Sequence, residues 1–187
     1  MLNIKNSIFE MVVKKVFGES TGEGYIFQYN SRIEKLSIFY KQMQTLKDLN
    51  TSKELEYLAS ESVSRQIDIT SLENFLDAIG FEYTKTTKDR AFILEETITI
   101  KKRSVESVHK EYLSKLKTKK EKDEFIKASL IGDSDMSTLT EELSILEMEK
   151  ESIDLEKRKL SRHSETLRES IHMTKKILDK RGGGFQC

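Results

Sequence analysis

Apolar residues recur every seven positions along the last third of the chain. Leu139, Leu146, Ile153, Leu160 and Leu167 form an unbroken line, interleaved with Met136, Leu143, Lys150, Lys157, Ser164, Ile171 and Leu178. This is a heptad repeat with the first set at d and the second at a. It predicts one helix over about residues 138–181. Thr138 followed by Glu141 supplies a capping box at its start, and Gly182, Gly183 and Gly184 end it. An edge lined by Leu139, Leu143, Leu146, Ile153, Leu160, Leu167, Ile171 and Leu178 must be covered by another helix, so these residues form the candidate partner-binding seam.

Helical spacing is also present upstream. Ile8, Phe9, Val12, Val13 and Val16 share one face of a short amphipathic segment, residues 7–17. The polar, glycine-rich GESTGEG from Gly18 to Gly24 reads as a linker. Ile33, Leu36, Phe39, Tyr40, Met43 and Leu46 recur at three and four, with Ser31 as N-cap. A weaker helix is expected over 52–64, and a clearer one from Thr70 or Ser71, on which Leu72, Phe75, Leu76 and Ile79 face one way. Gly80 stands where a helix stop belongs.

Beyond Gly80 the composition turns towards β-formers. Phe81-Glu82-Tyr83 and Ala91-Phe92-Ile93-Leu94 flank the polar TKTTKDR, which predicts a β-hairpin, and Thr97 to Ile100 a third strand or a lead into the next helix. The expected fold is therefore mainly α, with a small α+β N-terminal module and a long C-terminal helical hairpin or coiled coil. The division is 1–24 (helix and linker), 25–100 (the α+β module), 101–181 (a helical arm broken at 131–137) and 182–187 (a flexible Gly-rich tail).

Charge refines the arm. Residues 101–130 carry ten Lys/Arg against five Asp/Glu, and the chain as a whole is neutral. Lys150 and Lys157 at a positions, with Glu149 and Glu156 at g and Glu147 and Asp154 at e, disfavour a parallel in-register homodimer. An antiparallel partner avoids those clashes. The basic 102–130 stretch, with Val105, Val108, Tyr112, Leu116, Ile126 and Leu130, is expected to fold back through IGDSD onto the acidic half of the last helix, placing Lys115 to Lys122 near Glu141 to Glu156. A solvated basic face is the default, so nucleic-acid binding through 101–127 is a lesser alternative.

The run from Ser71 to Glu96, with the Gly80-Phe81-Glu82 step and Phe92-Ile93-Leu94, resembles the end of a PUB domain. TLKDLNTSKELEYL resembles the polar turn between two helices that precedes it. The resemblance covers about residues 30–100. It implies a peptide-binding or scaffold module, and in that family a role binding the C-terminal tail of the valosin-containing-protein unfoldase. The family's basic Lys-Tyr-Arg is here Glu54-Leu55-Glu56-Tyr57, so Tyr57 alone carries over as a peptide contact.

No constellation supports a reaction. GESTGEG lacks the Lys-Ser/Thr of a phosphate loop. Asp133 and Asp135 lack a glutamate at the twelfth position of a calcium loop, which is Ser144. His109, His163 and His172 are scattered, and the single cysteine, Cys187, follows a glycine run. One RGG at Arg181 is too little for RNA binding. No cofactor, metal or catalytic residue is expected. One cysteine fits a reducing, cytoplasmic compartment. With Leu2 at position 2 and Cys187 last, neither myristoylation nor ordinary prenylation is expected, and no apolar h-region or membrane span is expected either. The reading is an intracellular, non-enzymatic structural or adaptor protein acting on other proteins. A cytoskeletal or ciliary complex suits such an arm.

Overall fold

The computed structural model describes residues 3–44 and 52–180, and among these every element is an α-helix: α1 (Asn3–Phe17), α2 (Glu19–Gln44), α3 (Ser52–Val108), α4 (Lys110–Lys115), α5 (Lys119–Leu130) and α6 (Ser134–Lys180). Leu46, the start of the TLKDLNTSKELEYL stretch expected as a polar turn, and the Gly-rich tail expected over 182–187 lie outside the described residues. The chain divides into two compact units, Met1–Glu82 with Glu151–Cys187, and Tyr83–Lys150, and both α3 and α6 give a segment to each.

The expected α+β module is replaced by helix. Phe81 to Tyr83, Ala91 to Leu94 and Thr97 to Ile100 all lie inside α3, and no strand occurs among the described residues. The reason is a buried line with helical spacing that the β-formers disguise. Leu58, Ile69, Leu72, Leu76, Ile79, Tyr83, Leu94 and Ile98 are buried, mostly three or four apart, and tertiary burial overrides the intrinsic preference of a Thr/Ile run. The threonines adapt by back-bonding: Thr97 and Thr99 donate to the carbonyls of Ile93 and Glu95 at 2.7 and 2.8 Å.

Gly80 is likewise helical, not a stop. Its φ is not positive. A Cβ there would lie 3.4 Å from Lys157 Nζ and 3.8 Å from Ile153 Cγ2, ordinary contact distances, so α6 packs beside this position without requiring glycine. Within GESTGEG only Gly18 breaks the chain, at φ +84, and Glu19 already opens α2. Ser31 is thus interior to α2, and the separate helices expected over 52–64 and from residue 70 are one.

In the first unit α1 and α2 run antiparallel. Phe9 meets Tyr29 with ring centroids 5.3 Å apart, and Lys14 Nζ reaches Glu19 and Glu23 at 2.6 and 3.0 Å. A Cβ on Gly22 would lie 2.8 Å from Lys14 Cα, so glycine sets how closely these helices approach. Phe75 of α3 joins Phe17, Tyr25 and Tyr29 in an aromatic cluster. The segments of α3 and α6 complete a four-helix core holding Val12, Val13, Leu36, Phe39, Leu160 and Leu167, all nearly or fully buried.

The second unit is a helical hairpin of α3 and α6 segments, with α4 and α5 between them in the chain. Tyr83 Oη donates to Leu146 O at 3.0 Å and to Glu149 Oε2 at 2.8 Å. Arg90 pairs with Glu142. Lys101 Nζ lies 2.8 Å from Asp133 Oδ2. These pairings descend along α3 as they climb along α6, so the segments are antiparallel. The partner of α6 is therefore α3 and not the basic 102–130 stretch. That stretch is broken into the end of α3, α4 and α5, and α4 and α5 bury only Leu113 and Ile126.

The capping box expected at Thr138 and Glu141 is found elsewhere. The capping box belongs to α5, where Glu121 N donates to Thr118 Oγ1 at 3.1 Å and Thr118 N to Glu121 Oε2 at 2.9 Å. Thr138 is interior to α6, whose first turn is instead capped by Asp133, its Oδ1 accepting from Met136 N at 2.9 Å. Gly132, at φ +95, makes the turn between α5 and α6.

Candidate functional site

The seam of α6 is covered by the chain's own helices along its middle. Ile153, Leu160 and Leu167 are buried, while Leu139, Leu143 and Leu146 are half-buried in the second unit. Ile171 is exposed and Lys150 points to solvent. The side chain of Leu178 lies outside the described residues. Lys157 reaches Asp77 Oδ1 at 2.6 Å, and Ser164 is buried. The a line is thus covered only in part, while the d line stays buried from Ile153 through Leu160 and Leu167 to Thr174. Ser152 at c and Glu156 at g are buried as well, so the covered flank lies on the g side of the d line.

Covering the g flank puts charge inside the first unit. Tyr29 Oη donates to Glu156 Oε2 at 2.7 Å, and Lys159 pairs with the same carboxylate. Glu156 is only 6% exposed. As a g residue it was expected at the surface; the heptad could not show that α2 would cover that flank. Burial, reinforced by the neighbouring Glu156 charge, pushes the Tyr29 phenol far above its ordinary range. About three turns further along α2, Tyr40 Oη donates to His163 O at 2.6 Å while the two rings stack 5.3 Å apart. Burial raises the Tyr40 hydroxyl to about 12 and lowers the His163 imidazole below its usual value.

A cavity of about 120 Å³ opens among Phe9, Glu10, Asn30, Glu156, Lys159 and His163. It is well below the roughly 300–1,000 Å³ of a typical ligand pocket. Its carboxylate already has two partners, so its chemistry is that of a satisfied core network. Among the described residues no three His, Cys, Asp or Glu side chains are placed to share a metal, and no helix is long and apolar enough to cross a membrane.

Large apolar side chains lie instead on the outside. Phe81 is 67% exposed in the first unit and Phe92 62% in the second. Val63 and Phe81 are eighteen residues apart, about five whole turns, so they share a face, with Ile67 beside it. That face lies opposite Leu72, Leu76 and Ile79, which the core buries. Reading Phe81 and Phe92 as strand residues missed this. The available signal was that they fall off the three-four line of the buried residues. Tyr57, the carried-over peptide contact, is 59% exposed on α3. In the second unit Lys102, Arg103, Lys110, Lys115, Lys117, Lys119 and Lys120 are all exposed.

Comparison with protein-family models, curated proteins and solved structures found no match for this chain.

Proposed function

We propose that this chain is a non-enzymatic structural or adaptor protein that engages other proteins through the outer faces of its paired long helices, inside an intracellular assembly. One observation supports it above the rest. The heptad seam is largely occupied internally, yet bulky apolar residues, Phe81 foremost, stand on the opposite face of α3 in water. Isolated exposed apolar residues need no explanation, but several on one helix face mark a contact surface. Aromatic anchors of this kind carry much of the energy of protein interfaces.

A photo-crosslinker placed at position 81 in the full chain, expressed in its native source, tests this. Recurrent adducts to one or two proteins, lost with Val63→Asp, are expected. Adducts no more frequent than from the polar surface position Glu73 would defeat the reading. Adducts only to a second copy of the chain would turn it into a homo-oligomer.

A second reading, nucleic-acid association, draws on the run of exposed cations from Lys102 to Lys120. Binding to duplex DNA or RNA that falls steeply with salt would favour it. The unfoldase-tail reading draws on Tyr57 alone, and absence of tail-peptide binding at millimolar concentration would remove it.

A further inference from the structure

The second unit carries an open groove of about 840 Å³ beside the turn that joins α5 to α6. Ile98 forms part of its floor and is 8% exposed. Leu130, Met136 and Leu143 line it at intermediate exposure, and Ile131 is 81% exposed at its edge. The groove is thus apolar inside although nothing among the described residues fills it. Its rims differ in charge. Lys102 and Lys127 stand on the α3 and α5 side, and neither makes an ion pair among the described residues. Glu141 stands on the α6 side. Asp133, also at the wall, is already neutralised by Lys101.

We infer that this groove receives an amphipathic helix of a partner protein, acidic along the flank that meets Lys102 and Lys127 and basic along the flank that meets Glu141. The inference rests on the partner-engaging reading above and adds a place and a chemistry to it. Apolar anchors at three- and four-residue spacing fill such a groove, which is how helices dock in clefts between other helices. The unpaired lysines then select the partner and its direction, since charges at a rim act mostly on specificity and association rate. A second copy of this chain, which exposes acidic as well as basic residues, is the alternative occupant that the test separates.

Three synthetic helical peptides with one apolar face test this against the full chain by fluorescence anisotropy. One carries glutamate and lysine on the two flanks as stated, one lysine on both flanks, and one glutamate on both. The mixed peptide is expected to bind best. Ile131→Asp should weaken it by about tenfold or more, as should Lys102→Glu combined with Lys127→Glu, and the double variant should gain affinity for the all-lysine peptide. Ile131 is so exposed that its substitution leaves the fold intact, which an unchanged circular dichroism spectrum verifies. Equal binding of all three peptides, indifference to Ile131→Asp, or no binding at millimolar peptide overturns the inference. Self-association that Ile131→Asp abolishes would do so too, assigning the groove to a second copy. Position 81 crosslinks that persist while the peptides fail would sink the groove alone and leave the broader reading standing.

Discussion

The hydroxyl of Tyr29 and the carboxylate of Glu156, 127 positions apart in sequence, meet at 2.7 Å inside the first unit. Both residues are buried, Glu156 to 6% exposure. The bond ties α2 to α6 at a point where the heptad alone would place a solvated charge. Removing the hydroxyl leaves the carboxylate with Lys159 but without its neutral donor. Tyr29→Phe is therefore expected to destabilise the chain by about 1–3 kcal/mol in urea unfolding. Combined with Glu156→Gln, the losses should be clearly non-additive. Additive losses would mean that the two groups do not act as a pair.

Two glycines of α2 should respond oppositely to alanine. Gly24 has nothing within 4 Å of a new Cβ, so Gly24→Ala should stabilise by about 0.5–1 kcal/mol through helix propensity. At Gly22 the Cβ would press on Lys14 Cα at 2.8 Å, a backbone atom that cannot swing away. Gly22→Ala should cost about 1–3 kcal/mol by overpacking. Thermal melts of the two single variants suffice, and equal effects would contradict the close approach of α1 and α2.

Acid and alkali should each weaken the fold through a named group. Burial holds the His163 imidazole below its ordinary 6.5. The unfolded chain then binds more protons than the folded one just below that value. Stability is complete above about pH 6.5 and falls as pH drops towards the folded-state value. Tyr40 is displaced the other way, from 10.0 to about 12. Its contribution is complete below pH 10 and is lost as pH rises through 12. Urea midpoints between pH 5 and 7.5 should flatten in His163→Gln, and the loss above pH 10 should shrink in Tyr40→Phe.

Not every heptad position carries weight. Leu160 is 1% exposed and Ile171 is 38% exposed. Leu160→Ala should cost about 2–5 kcal/mol, while Ile171→Ala should stay within about 0.5 kcal/mol. Matching losses in chemical denaturation would show that Ile171 at a faces the core as fully as Leu160 at d.

The sequence by itself determined the long final helix, its leucine line, the break around Gly132 and the early α1 face. These are local properties, carried by residues three, four and seven apart. It misled where local preference and tertiary burial conflict. Thr97 to Ile100 and the Phe81 and Phe92 runs have the composition of strands, yet Tyr83, Leu94 and Ile98 are buried on helical spacing against a partner that no short window contains. Only the tertiary structure decided that α3, and not the basic stretch after it, pairs with α6, that Glu156 is inside and that Phe81 is outside. A side chain's exposure depends on which helices cover its flank, and the identity of those helices is set by contacts between residues scores of positions apart.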